Sequence, residues 1–234
     1  MATTLIVGGT SGIGLAVSQQ LSRSGDEVHI AGRSRKRLER ALATVDARGH
    51  LLDGSESAAV EALARSIAPL DRLVITLAGS GGTGPLAGVE IGDLRRAFDE
   101  KYWPTVTVMQ AALPALAERA SVTLVGAVTA RAAMPGTAGI GSLNAAVEGL
   151  VQPLAAELAP IRVNAVSPGY VDTPWWDGFP AAQRDAFFAQ AAAALPTGRI
   201  ATASDIAEAI VLLATNPNIT GTVLVADGGA RLTA

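Results

Sequence analysis

The chain has 234 residues, 49% of them apolar, a net charge of −3 and no cysteine; its mean hydropathy is +0.34. That is material for one α/β domain spanning 1–234 with a single core, its charge argues against a nucleic-acid partner, and the lack of cysteine excludes disulfides and thiolate metal sites, so no metal is expected. No apolar run approaches the roughly 18–20 residues of a membrane span, and Met-Ala-Thr-Thr enters a strand with no basic leader, so a cytoplasmic protein without membrane contact is expected.

In chain order, an apolar strand over 3–8 enters a glycine turn and opens into a helix over 12–23. Gly8, Gly12 and Gly14 fall at the spacing G-x-x-x-G-x-G. Glycine lets a ligand approach the main chain closely, and a helix starting here aims free N–H groups and the positive end of its dipole at an anion. Thr10, Ser11 and Ile13 complete this seat for a dinucleotide pyrophosphate. A strand over 27–32 leads to a helix over 35–44, with Ser34 as its N-cap. A strand over 49–52 precedes a helix over 56–67, for which Ser55 is the expected cap. Strands follow over 72–78, 121–127, 161–167 and 221–226, and helices over 90–117, 137–158, 181–194 and 204–214; Thr202 and Asp205 form a capping box for the last helix. Runs such as Leu73-Val74-Ile75 are apolar on both faces, as in a parallel sheet covered on both sides. The predicted fold is a doubly wound α/β domain with a seven-stranded parallel sheet.

The glycine turn has company. Arg162-Val-Asn-Ala-Val-Ser-Pro168-Gly169 with Thr173, and Gly221-x5-Asp227-Gly-Gly, stand in the same order and at the same distances as in one family. Over nearly its whole length the chain resembles a short-chain dehydrogenase/reductase. That resemblance implies a Rossmann-type sheet with a nicotinamide cofactor across the strand ends. Asp53 stands where the family contacts adenine; the alternative is a cap or surface acid before the next helix. Thr76-Leu77-Ala78-Gly79 replaces the usual Asn-Asn-Ala-Gly, keeping only the Ala-Gly half. Pro168, Gly169, Val171 and Thr173 match the segment that holds the nicotinamide ribose and carboxamide. Charge decides the cofactor: an acid after the second strand holds the ribose of NAD, whereas NADP needs a cation. Here Arg33, Ser34 and Arg35 occupy that place, and guanidinium forks match phosphate oxygens. NADP(H) is the expected cofactor.

The resemblance fails at the chemistry. The family's Asn-Ser-Tyr-Lys tetrad aligns with Lys101, Ala127, Ile140 and Asn144. Isoleucine transfers no proton, and a positioned acid–base group is typically worth about 10²–10⁴ in rate. Asn144 still offers hydrogen bonds to a ribose. Lys101 is the candidate proton donor or oxyanion anchor, and Pro104 in the same helix is expected to free the Glu100 carbonyl beside it; the alternative is a lysine that snorkels to solvent or pairs with an acid. Thr129 and Arg131 are further candidates for a substrate oxygen, or plain loop residues. His29 and His50, in the second and third strands, read as structural. Five of the nine aromatic residues, Trp175, Trp176, Phe179, Phe187 and Phe188, fall within 175–188. The resemblance makes 175–198 a substrate lid, and aromatics there suit an apolar small-molecule substrate or lid packing. The long helices over 90–117 and 137–158 carry surplus apolar residues, and such helices pair in the family's dimers and tetramers, so a homo-oligomer is expected.

Three functions remain open: an NADP(H)-dependent oxidoreductase with an altered proton-transfer site acting on an apolar carbonyl, imine or activated alkene; an inactive NADP(H)-binding sensor or scaffold; and a non-redox isomerase or cyclase.

Overall fold

The computed structural model describes residues 1–233. Strands and helices alternate as β1 (Thr3–Val7), α1 (Gly12–Arg23), β2 (Glu27–Gly32), α2 (Arg35–Leu42), β3 (Arg48–Leu51), α3 (Ser57–Ser66) and β4 (Leu70–Ile75). They continue as α4 (Ile91–Glu100), α5 (Tyr102–Ala112), β5 (Leu116–Val125), α6 (Ala138–Gly149), α7 (Val151–Glu157) and β6 (Arg162–Pro168). The chain closes with β7 (Val171–Asp172), α8 (Ala181–Ala194), β8 (Ala201–Thr202), α9 (Ala203–Thr215), β9 (Val223–Ala226) and α10 (Ala230–Thr233). Seven strands form one parallel sheet in the order β3-β2-β1-β4-β5-β6-β9.

Side-chain alternation along the strands sorts the core into two layers. Leu5, Leu73, Val122 and Val163 face α3, α5 and α7, while Ile6, Val74 and Val166 face α1 and α9. Leu5 and Leu73 are wholly buried and lie at paired positions on β1 and β4; truncating either to alanine costs about 2–5 kcal/mol.

Several boundaries differ from the sequence reading. The helix expected over 90–117 breaks at Lys101 (φ −124°, ψ −58°) and its second half ends at Ala112. Pro104 therefore falls in the first turn of α5, where its missing N–H costs nothing, and the Lys101 carbonyl takes the Thr105 N–H at 3.0 Å and hydroxyl at 2.7 Å. The helix expected over 137–158 divides at Leu150, with Pro153 early in α7. Ser55 does not cap α3, whose N-cap is Glu56. Instead Asp53 Oδ1 accepts the Ser55 N–H at 3.0 Å and hydroxyl at 2.8 Å. Ser34 and the Thr202–Asp205 capping box are as expected. The short parallel pair of β7 and β8 gave no sequence signal because each strand is two residues long.

Candidate active site

The strand order reverses beside β1: β2 and β3 lie to one side, β4 and β5 to the other. The crossovers leave a crevice at the carboxyl ends of β1 and β4. A cavity of about 440 Å³ runs from Gly8, Ser11, Gly12, Ile13 and Gly14 past Thr76, Ala78 and Gly79 to Lys101 and Asn144. Its glycines are required. Gly8 has φ +93°, and a Cβ there would lie 2.6 Å from Thr76 Oγ1; one on Gly14 would lie 2.3 Å from the Gly8 carbonyl oxygen. Ser11 precedes α1 without a side-chain cap, so the first N–H groups of the helix are left for a ligand. Arg37 and Lys101 are the charged residues lining the cavity, and among the described residues no acid lines it. A groove with exposed helix N–H groups, bare glycine backbone and no carboxylate fits a dinucleotide pyrophosphate. Thr76 makes good part of the missing asparagine pair: its N–H at 2.9 Å and hydroxyl at 3.3 Å both reach the Val7 carbonyl, tying β4 to β1.

Thr10, Arg33, Ser34, Arg35 and Asp53 lie outside the lining. Thr10 packs on Gly32, where a Cβ would come within 2.8 Å of its methyl carbon. Arg33 and Arg35 are exposed, and among the described residues neither has a carboxylate at ion-pair distance. Arg33 lies close enough to Asp53 to help lower its carboxyl below the ordinary value, although the Ser55 N–H contributes more. The basic residue of this cluster that reaches the cavity is Arg37, on α2.

At the other end stands a polar chain. Lys101, 7% exposed, donates from Nζ to Asn144 Oδ1 at 2.7 Å and to the Gly126 carbonyl at 3.2 Å. Asn144 donates from Nδ2 to Thr129 Oγ1 at 3.0 Å and to the Ile140 carbonyl at 2.9 Å. Each proton of the Asn144 amide is thus used, and the Thr129 hydroxyl, having accepted, keeps its own proton to give. Burial pulls the Lys101 ammonium down to about 8, against the opposing pull of Glu148. The lysine neither snorkels nor pairs with an acid, the alternatives open from sequence. Ala127 and half-buried Ile140 line the same space and offer no side-chain donor. Arg131 turns away from the cavity: its Nε meets Glu148 Oε2 at 2.7 Å. Glu148 was missed from sequence, yet Ile140, Asn144 and Glu148 recur every four residues and so share one face of α6.

Pro168, Gly169, Tyr170, Val171 and Thr173 line the cavity beside the aromatic segment that follows them. Gly169 is fixed by sterics, since a Cβ would lie 2.7 Å from the Asp227 carbonyl oxygen. The neighbouring Arg162 and Asn164 are anchors: they hold the carbonyls of Leu213, Ala214 and Ile219. Trp175 and Trp176 line the cavity, whereas Phe179 packs behind them, 5.3 Å from the Trp176 ring. Trp176 also meets Phe187 and Phe188 at 5.1 and 5.2 Å, and its indole donates to the Val171 carbonyl at 3.0 Å. The Trp175 indole reaches across the groove to the Gly79 carbonyl at 3.3 Å. The aromatic cluster is therefore both the packed core of this segment and a wall of the cavity.

Comparison with known proteins follows this geometry. A family model described as enoyl-(acyl carrier protein) reductase matches residues 7–231. The chain is 31% identical to the short-chain dehydrogenase/reductase ATR9 of Stachybotrys chlorohalonatus, over 97% of this chain and 96% of that protein. It is 32% identical to the short-chain dehydrogenase/reductase malC of Malbranchea aurantiaca, over 97% and 94%. A small-chain dehydrogenase solved in complex with NADPH superposes with a TM-score of 0.88 at 35% identity, over 99% of both chains. The structure of the MalC reductase/Diels-Alderase gives 0.89 at 30% identity, over 99% and 96%. The chain belongs to the short-chain dehydrogenase/reductase superfamily.

Proposed function

We propose that this protein is an NADP(H)-dependent reductase with a rebuilt proton-transfer site, acting on an apolar carbonyl, imine or activated alkene. The observation that carries the reading is the buried chain Lys101–Asn144–Thr129, which opens into a cavity shaped for a dinucleotide. The NADPH complex of the 35% identical relative and the exposed arginines after β2 support the choice of cofactor. NADPH supplies a hydride when bound. Gly8 to Gly14 and the α1 N-terminus hold the pyrophosphate, Arg33, Arg35 and Arg37 offer cations for the 2′-phosphate, and the 168–173 segment orients the nicotinamide end.

The remaining work falls to side chains that still have protons to offer. The Thr129 hydroxyl is a free donor for an acceptor oxygen or nitrogen. Asn144 is an amide and fixes both neighbours in place. The transferable proton near neutral pH belongs to Lys101, whose depressed value suits a general acid. Trp175 and Trp176 exclude water and offer ring faces to an apolar substrate. Exposed Ile91 and Trp103, on α4 and α5, support a homo-oligomer joined through these helices.

The test is NADPH loss over a panel of neutral carbonyls, imines and conjugated alkenes. K101M is expected to keep NADPH binding and lose turnover by 10²-fold or more; unchanged turnover removes Lys101 from the mechanism. A non-redox cyclisation in the same cavity is the second reading, favoured by the reductase/Diels-Alderase relative. Product formed without NADPH loss would select it.

A further inference from the structure

The carboxylate of Glu148 is 5% exposed, and only half of it is used. Oε2 takes the Arg131 Nε hydrogen bond at 2.7 Å, while Oε1 has no partner among the described residues. An unpaired buried carboxylate oxygen is costly unless a cation lies near enough to repay it. Gly126 explains where the carboxylate lies: a Cβ on that residue would stand 2.6 Å from Oε1, 2.8 Å from Cγ and 3.2 Å from Cδ. Glu148 thus occupies the volume that a side chain at position 126 would fill. The same Gly126 binds Val166 through its N–H at 2.9 Å and receives the Lys101 ammonium on its carbonyl at 3.2 Å. One glycine carries the ammonium on its carbonyl and the carboxylate against its Cα.

We propose that Glu148 and Arg131 form a positioning pair for Lys101: the carboxylate, seated against Gly126, holds the ammonium in its charged form, and Arg131 sets how much of that carboxylate's field reaches it. Lys101 has no carboxylate at ion-pair distance among the described residues. The acid acting on it is Glu148, with Arg131 behind Glu148. Asn144 and Thr129 face it as neutral groups, and the adjacent Glu100 is taken up by the Ser80 N–H and hydroxyl, both at 2.6 Å. Since the Arg131 side chain is 45% exposed and its partner is buried, solvent conditions at the surface are coupled to a charge beneath the cavity floor. The consequence for turnover rests on the reductase reading, but the pair itself is tested without substrate.

The chain has two lysines, Lys36 and Lys101. Protein grown with 13C-lysine therefore shows two Cε resonances, and K36R identifies the one from Lys101. Titrating the full chain should place its midpoint near 8. E148Q should lower that midpoint and R131Q should raise it, each by roughly half a unit or more. An ion pair too far from Lys101 or too screened to act on it predicts no movement in either variant. Any pattern other than opposite shifts overturns the proposal. If E148Q fails to fold, R131Q, at a half-exposed side chain, decides alone: a lowered or unmoved midpoint overturns it. Because the readout is a titration, it fails or succeeds independently of NADPH turnover.

Discussion

On the proposed reading lysine and asparagine stand in each other's places relative to the family pattern, and the exchange makes a quantitative prediction. N144K puts a second ammonium beside Lys101, where Nζ now lies 2.7 Å from a neutral amide oxygen. Two like charges about 4 Å apart repel by roughly 4 kcal/mol at an effective dielectric constant of 20. The protein can escape by releasing a proton from Lys101, and with that ammonium already near 8 the escape costs only about 1 kcal/mol at pH 7 but about 3 kcal/mol at pH 5.5. N144K also forfeits the hydrogen bonds to Thr129 and Ile140. The double variant K101N/N144K returns the site to one charge and removes the repulsion. In urea unfolding, N144K should therefore lose more stability than the double variant does. The coupling energy between positions 101 and 144 should be about 1 kcal/mol at pH 7 and grow to about 3 kcal/mol at pH 5.5. Additive effects, or a coupling that shrinks on acidification, would refute the claim that the two positions share one buried charge.

Three other outcomes are expected. R33A/R35A should weaken NADPH binding by about 10–100-fold while leaving NADH nearly unchanged, as measured by cofactor fluorescence titration; equal losses would put these arginines outside the phosphate site. W176A, which empties the centre of the aromatic cluster, should raise substrate KM about tenfold with NADPH affinity intact; the opposite pattern would place Trp176 on the cofactor. His29 and His50, joined at 3.0 Å between Nδ1 and Nε2, are both pushed below the ordinary histidine value, chiefly by burial. The unfolded chain then binds more protons, so stability should fall as pH drops through about 6.5, and H50Q should flatten that slope in urea midpoints taken between about pH 7 and 5.

Local chemistry carried much of the fold into the sequence. The G-x-x-x-G-x-G turn is legible because its spacing lies within one βα unit, although the neighbours that crowd Gly8 and Gly12 are Thr76 and Thr173 from elsewhere in the chain, and apolar runs such as Leu73-Val74-Ile75 name strands buried on both faces. The break at Lys101 was hidden because an unbroken apolar pattern crosses it, and Pro104 reads as a defect until it is seen to begin a new helix. Asp53, legible as an acid before α3, proves to hold the Ser55 turn. The candidate site divides in the same way. Lys101, Thr129 and Asn144 were named singly, but their union depends on α4, α6 and the end of β5 meeting in space. From sequence Arg131 is a candidate for a substrate oxygen or a plain loop residue, because its partner, Glu148, carries no motif; only the four-residue spacing on α6 and the bare Cα of Gly126 disclose the pair.

On the proposed mechanism the loss of tyrosine and the relocation of lysine are one change. In the family arrangement a lysine makes a tyrosine more acidic, and the tyrosine gives the proton. With Ile140 in that place there is nothing left to tune, and the ammonium must serve as the acid itself. An ordinary lysine at 10.5 is too weak an acid to do so near neutrality, whereas one brought to about 8 lies within reach. The downward shift requires burial, and burial of a charge is tolerated only with its protons satisfied. The Asn144 amide oxygen and the Gly126 carbonyl take two of its three protons, at 2.7 and 3.2 Å, and the third is left for an acceptor in the cavity. The helix break that turns Lys101 inward, the asparagine at position 144 and the missing side chain at position 126 are thus parts of a single solution: the first places the ammonium, the second takes one of its protons, and the third leaves the space that Glu148 fills.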